Sequence, residues 1–514
     1  MNKEASGVKK YLKQISGIFF LFFVFAFLLV SCDSGGSPNG QNAPGDKKSG
    51  LENQNSRDDF ESAEIPEKIA YEVPEMDCGG YGFTVLAKEP YLEIYWITAD
   101  MYAEAENGDP INDAVYKRNR ILEEKFNIDI KQTIVSDIWG YIPKIVKSGS
   151  DDFDVCYPVM QQAGSLVQSG YLLNLYEVPW LDFEKPWWDQ SINDSITIGH
   201  KLYGAAGNIV TLTNDATWTV LFNKNLSKDF EIGDHYQLVK DGKWTLDVLH
   251  ENSRKAAKDL DGDGTMTDLD QWGAITQHEC VYCLFAGTGQ KVIEKSKDDL
   301  PVLELNNDRT VSVLDKIIDF MSDGDAQIKA DDAEYTKKYA NVWNEITTKI
   351  FAENRALYEI VNFNMVQTLR NMETDFGILP LPKYDESQNG YYSTLQYGNA
   401  SVMCIPATAS NPERTGAVLE AWAAESVNTL TKAYYEITLK SKNARDEESE
   451  AMLDLIFSTR VIDQGLFFNW VGMLDFFSGF SQKKNVDFAS QYEKSESKWI
   501  AAIEKTIAAM EEIN

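Results

Sequence analysis

Short β-branched and aromatic runs alternate with helical patterns along most of this chain, and that alternation is the tightest constraint on its fold. Gly82-Phe83-Thr84-Val85-Leu86 reads as a first strand. A helix is expected at about 110–126, capped by Asp109 and opened by Pro110, with Ile111, Val115, Leu122 and Phe126 on one stripe. Ile128–Lys131 and Asp152–Tyr157 read as strands, the second ended by Pro158. Such alternation builds an α/β lobe. The pattern restarts at Thr217–Phe222. Helices are expected around 245–259, 311–322 and 332–350, and strands at 376–382 and 400–405. Asn411-Pro412 starts another helix, and a long one closes the chain at about 486–512. At roughly 100–200 residues per domain, 514 residues leave room for more than one such lobe.

The N-terminus reads as an address. Lys3, Lys9, Lys10 and Lys13 precede thirteen apolar residues, Ile18–Val30. That run is too short for a mature spanning helix and fits the hydrophobic region of a signal peptide, residues 1–31. It ends in Leu29-Val30-Ser31-Cys32, which resembles the bacterial lipobox. The resemblance implies lipidation of Cys32 and a lipid anchor on the outer face of the cytoplasmic membrane. Residues 32–60 are poor in apolar side chains and read as a flexible tether.

Charge narrows the partners. The net charge is −32, and removal of residues 1–31, with four Lys and one Glu, takes it to −35. So acidic a surface repels nucleic acid, and no nucleic-acid partner is expected. Lipidation of Cys32 leaves five cysteines, an odd number that argues against a full disulfide framework. Cys280 and Cys283 form a CxxC with no second pair, which argues against structural zinc and leaves a local disulfide open. Cys156 and Cys404 sit in apolar runs and read as small core residues.

Several segments, in order, carry a resemblance. They are Asn112–Asn119, Asp152-Phe153-Asp154-Val155, His200-Lys201-Leu202-Tyr203-Gly204, Asn223–Leu226, Gly242-Lys243-Trp244-Thr245 and Phe376–Lys383. From about residue 80 to the C-terminus the chain resembles the extracellular solute-binding proteins of bacterial ABC importers, family 1, the sugar-binding cluster. The resemblance implies a two-lobed periplasmic-binding-protein-like α/β fold with a hinge of crossing strands and a ligand in the cleft. The first crossing would fall near Thr213–Val220, the return near Thr394–Val402 and a third near 440. Lobe one would hold 79–213 plus 395–440, and lobe two 216–393 plus 441–514.

Asp259–Asp270 follows the ligand spacing of an EF-hand loop. Carboxylates Asp259, Asp261 and Asp263 occupy positions 1, 3 and 5, Gly264 takes the turn, Thr265 offers its carbonyl, and Asp270 stands at position 12. Asp at position 12 reaches less far than the usual Glu. One loop without a partner points to a permanently bound structural Ca2+, not to a switch.

Sugars stack C–H faces on aromatic rings and present hydroxyls to carboxylates and amides. The candidates for that role are Trp187 and Trp188 behind Pro186, Trp218 and Tyr397 at the two crossings, Trp470, and Asp154 at a strand end. Asn364 and Trp96 stand behind them. The four His show no HExxH spacing and no GxSxG partner, and no pair of carboxylates singles itself out for glycoside hydrolysis. The chain is therefore read as a monomeric, non-enzymatic binding protein that delivers a solute, expected to be an oligosaccharide, to the transmembrane subunits of an ABC permease. The competing readings are a surface glycoside hydrolase or lyase, and an adhesion or scaffold protein. The anchor makes one firm expectation: Cys32→Ala abolishes palmitate labelling and moves the protein from the membrane fraction to the medium. Retention of both in the variant would overturn it.

Overall fold

The computed structural model describes residues 68–90, 100–369, 372–438, 447–482 and 487–512. The signal peptide, the tether, Cys32 and Trp96 lie outside the described residues, as does the crossing expected near 440. Among the described residues, no helix is long and apolar enough to cross a membrane.

The first lobe is built on a parallel sheet. Strand β1 (Tyr81–Lys88) pairs with β2 (Ile128–Val135) on one side and β3 (Val155–Cys156) on the other. Helix α1 (Pro110–Phe126) starts as its sequence dictates, with the Asp109 carboxylate accepting from the Asn112 amide. It buries Val115, Leu122 and Phe126. Helix α2 (Met160–Gln168) follows β3. Residues 401–405 return to this lobe: Cys156 and Cys404 exchange both backbone hydrogen bonds, and Ala205 does the same with Met403. Both cysteines are free and fully buried.

The second lobe carries a five-stranded mixed sheet. Its order is β10 (Phe376–Leu379), β4 (Trp218–Asn223), β9 (Ala356–Asn362), β5 (Trp272–Thr276), β8 (Gln327–Lys329), while β6 (Ile293–Lys295) and β7 (Pro301–Leu303) form a separate antiparallel pair. Strands β5, β8, β9 and β10 run in one direction, and β4, between β9 and β10, runs against them. Gly273 in β5 is required by close approach, because a Cβ there would sit 1.9 Å from the Ser253 carbonyl oxygen. Helix α3 (Cys280–Gly287) leaves the end of β5, with every residue buried. Its Cys280 and Cys283 are free thiols, and Cys283 Sγ donates to the Cys280 carbonyl.

Between the lobes, three extended segments meet. Trp218 N–H donates to Thr394 O, Gln396 N–H donates to Ala216 O, and Phe363 N–H donates to Thr217 O. Thr217 and Thr394 are completely buried. Two of these segments lie within 213–220 and 394–402, the ranges that the resemblance implies for crossings. A further passage joins them at 459–461, where Ser393 N–H donates to Thr459 O and Val461 N–H donates to Ser393 O.

The C-terminal helices depart from the expected division. Helix α4 (Pro412–Ser426) packs on α1 of the first lobe, and α5 (Glu447–Ser458) packs on β10 of the second. Helix α6 (Gln464–Phe468) then packs against α2, where a Cβ on Gly164 would meet the Phe468 Cα at 2.8 Å. Helix α7 (Met473–Ser478) returns to α3, and α8 (Phe488–Glu512) goes back to α2. The stretch assigned by sequence to lobe two thus straddles both lobes. Helical periodicity shows that a stripe is buried, not which lobe buries it.

Candidate functional site

Strands β5, β8 and β9 all end at one edge of the second sheet. The chain leaves β5 for β8 on one side and returns to β9 on the other. In open α/β sheets, ligands bind outside the carboxyl ends of strands where such connections diverge. A cavity of about 410 Å³ lies there, lined by Gln277 after β5, Asp331 after β8 and Asn362 at the end of β9. That volume falls within the ~300–1,000 Å³ of small-molecule sites. Gln396 and Asn399 close it from the return crossing, and Asp475 and Ser478 from α7. The cavity therefore draws its walls from the second sheet, the hinge and a C-terminal helix.

Its aromatic wall comes from an irregular helix. Helical periodicity predicts one helix over 332–350, but the chain forms a helix at Ala333–Lys338 and then a π-helical turn, Trp343–Thr348. Single π turns recur at functional sites because they re-aim side chains. Here the turn brings Trp343, half-buried, and Thr347 onto the cavity wall together.

The polar groups are unequal in charge. Among the described residues, Glu279, Asp331 and Asp475 line the cavity, and no Lys, Arg or His does. Gln396 Nε2 donates to both oxygens of Glu279, at 2.8 Å each. Burial, reinforced by the Asp331 and Asp475 charges, pushes the Glu279 carboxyl up to about 7, against the pull of the Gln396 hydrogen bond. Burial also raises Asp331, opposed by His278, whose backbone N–H donates to both its oxygens at 3.0 and 3.1 Å.

The structure places the six sequence candidates elsewhere, in buried supports. Trp187 and Trp188 are 4% and 3% exposed, and both indole N–H groups donate to Glu420 on α4, at 3.0 and 2.9 Å. A shared buried carboxylate is how two adjacent tryptophans find cover together. Trp218 and Tyr397 are fully buried on either side of Tyr282, in edge-to-face contacts of 6.1 and 5.9 Å. Trp218 Nε1 donates to the Tyr282 hydroxyl, and Tyr397 Oη accepts from the Asp463 backbone N–H. That stack braces the hinge behind the cavity instead of facing solute. Trp470 stacks on Phe468 at 5.0 Å and donates to Thr506 Oγ1. Asp154 accepts from Tyr81 Oη, the Thr84 N–H and Arg414 Nη2, which ties β1 and β3 to the start of α4. Of the lesser candidates, Asn364 does line the cavity. Trp343, Glu279 and Gln396 carried no sequence signal beyond residue type; Gln396 lies beside Tyr397 in the return segment.

The acidic loop is organised by its own carboxylates. Asp259 accepts from the Gly262 and Gly264 amides, Asp261 from Asp263 and Asp263 from Thr265. Asp259, Asp261 and Asp263 can bring one oxygen each to within 4.8 Å of one another. Asp270, 1% exposed, instead accepts from the Leu260 and Thr267 amides and the Thr267 hydroxyl, which draws the two ends of the loop together.

No family model and no curated protein matches the sequence. Solved structures do match. The ABC substrate-binding protein Lmo0181 from Listeria monocytogenes, solved with cycloalternan, superposes with a TM-score of 0.50 at 10% identity, over 84% of this chain and 99% of that one. The M. tuberculosis protein UspC gives 0.52 at 13% identity, over 82% and 100%. A sugar transporter from Rhizobium etli in an open conformation gives 0.51 at 12% identity, over 84% and 100%. The fold is the two-lobed, periplasmic-binding-protein-like one. At this identity the likeness is one of architecture, and the chemistry of the site rests on this chain's own residues.

Glu279 supplies a test of the site's electrostatics. Its folded-state pKa of about 7 lies above the ordinary 4.5, so the folded protein holds this proton more tightly. Stability from this group is full below pH 4.5 and is lost as pH rises through 7. Glu279→Gln should therefore raise the melting temperature relative to the parent at pH 8, with little gain at pH 4.5. An equal change at both pH values would show that Glu279 is not held neutral by its surroundings.

Proposed function

We propose that this chain is the solute-capture component of an ABC importer, held at the outer face of the cytoplasmic membrane through Cys32 and binding an oligosaccharide or related hydroxylated solute between its lobes. One observation carries the reading: a cavity at the carboxyl ends of three parallel strands, beside the crossing segments, with Trp343 half-buried in its wall and side-chain amides around it. Trp343 offers a flat face for sugar C–H groups, and Gln277, Asn362 and Asn399 offer both donors and acceptors to hydroxyls. Capture would bring lobe one onto the solute by rotation about the crossing segments, whose few residues absorb the change. The closed form would then dock on the permease. The fold is shared with binding proteins of transporters, which favours binding over turnover.

Titration calorimetry against a panel of mono- and oligosaccharides tests this directly. A one-to-one complex is expected, and Trp343→Ala should weaken it by about tenfold or more, the loss of roughly 1.4 kcal/mol of stacking. Release of cleaved or eliminated products without stoichiometric binding would replace this reading with a surface hydrolase or lyase.

A structural Ca2+ in the 259–270 loop is part of the same proposal. The residues suit it: three carboxylates converge, the Thr265 carbonyl is in sequence register, and oxygen-only donors match a hard cation. Asp270 would serve by closing the loop, since its oxygens already accept from Leu260 and Thr267. EDTA should lower the melting temperature by several degrees, Ca2+ should restore it, and Asp261→Asn should blunt both effects. A melt insensitive to EDTA would remove the ion.

A further inference from the structure

We propose that the solute carries a protonated amine, so that the cavity is built for an amino sugar or a similar hydroxylated ammonium and not for a neutral or acidic sugar. The inference rests on the reading of the cleft cavity as the solute site. Among the described residues, Glu279, Asp331 and Asp475 share the lining with no cationic side chain. Glu279 and Asp475 are under-compensated. Glu279 has the Gln396 amide as its one side-chain donor. Asp475 takes no hydrogen bond from the described residues, and Asp331 is balanced by the His278 backbone N–H and by a ring nitrogen 3.9 Å away. Carboxylates gathered in a recess repel one another and resist losing water, so a neutral solute that covers them pays for desolvation with little return. An ammonium repays it through up to three charge-assisted hydrogen bonds.

A separate observation also points to a ligand. Thr347 on the same wall is 5% exposed, yet its hydroxyl has no hydrogen-bond partner among the described residues. Buried hydroxyls are nearly always paired, and this one has no accessible surface, so it can pair with a group of the solute only once capture shifts the wall. Trp343 serves both halves of such a molecule: its face stacks ring C–H groups and attracts a cation. The acid cluster thus selects the amine, while Thr347 and the amides address the hydroxyls.

The test uses matched solutes that differ at one substituent. Glucose and glucosamine, galactose and galactosamine, and cellobiose with the β-1,4-linked glucosamine disaccharide and its N-acetylated form are compared by calorimetry on the full chain at pH 7, with spermidine as an amine without hydroxyls. The amine member of a pair should bind about tenfold or more tightly than its neutral and acetylated counterparts, with the advantage shrinking in high salt. Asp475→Asn, on an exposed position, and Glu279→Gln should each narrow that gap. A neutral or acetylated member binding as tightly as its amine would overturn the inference and leave solute capture standing. An amine preference unchanged in both variants would overturn the role of the carboxylates. Spermidine bound with every sugar refused would overturn the amino-sugar assignment. Refusal of the whole panel, spermidine included, would overturn the underlying reading of the cavity.

Discussion

The rest of the structure depends on the backbone ladder where residues 216–218, 362–363 and 394–396 come together. Its hydrogen bonds join segments from both lobes, and the threonines within it are completely buried. Buried backbone groups must be paired, so the ladder cannot slip without exposing unsatisfied donors and acceptors. The register it enforces puts Asn362 and Gln396 side by side at the mouth of the second sheet. The Trp218–Tyr282–Tyr397 stack fills the space behind it, so the hinge is hydrogen-bonded in front and aromatic at the back.

That arrangement would let the proposed binding cleft be both precise and mobile. The polar groups of the cavity sit on strand ends and on two short helical turns, each held by packing independent of any solute. The chain crosses between lobes in only a few extended passages. Rotation about such passages costs few contacts, whereas distortion of either lobe would disturb a close-packed core. The C-terminal helices add a second connection, because α6 and α8 pack on α2 while α5 and α7 pack on the second lobe. Any closure must carry these helices with it or slide them, which limits the motion to small angles or to shear.

Much of the scaffold was legible in the sequence. Asp109-Pro110 and Asn411-Pro412 announced two helix starts, and Asn112 and Arg414 amides meet those caps. The ranges 213–220 and 394–402, which the resemblance implied for crossings, hold two of the segments of this ladder. The strands that build the site were not legible. Strand β8 has three residues, β5 has a glycine within five, and β9 carries Glu359 among fully buried neighbours. None shows clean alternation, because strands buried on both faces need none. The aromatic candidates lie away from the cavity for a related reason. A tryptophan in sequence declares a large apolar face but not whether the core or a solute covers it, and Glu420 supplied the cover for two of them.

The sequence by itself determined the α/β alternation, the acidic surface, the spacing of the 259–270 loop and the signal-like N-terminus, because each is written in neighbouring residues. The tertiary structure decided which side chains face the cleft, because Glu279, Asp331 and Asp475 are separated by up to nearly two hundred residues and meet only when three strand ends and a C-terminal helix converge. It also decided what their charge means. The same carboxylates scattered over a solvated surface would be unremarkable; gathered in one recess, with a single amide across from Glu279, they set a local demand for positive charge that no composition could reveal.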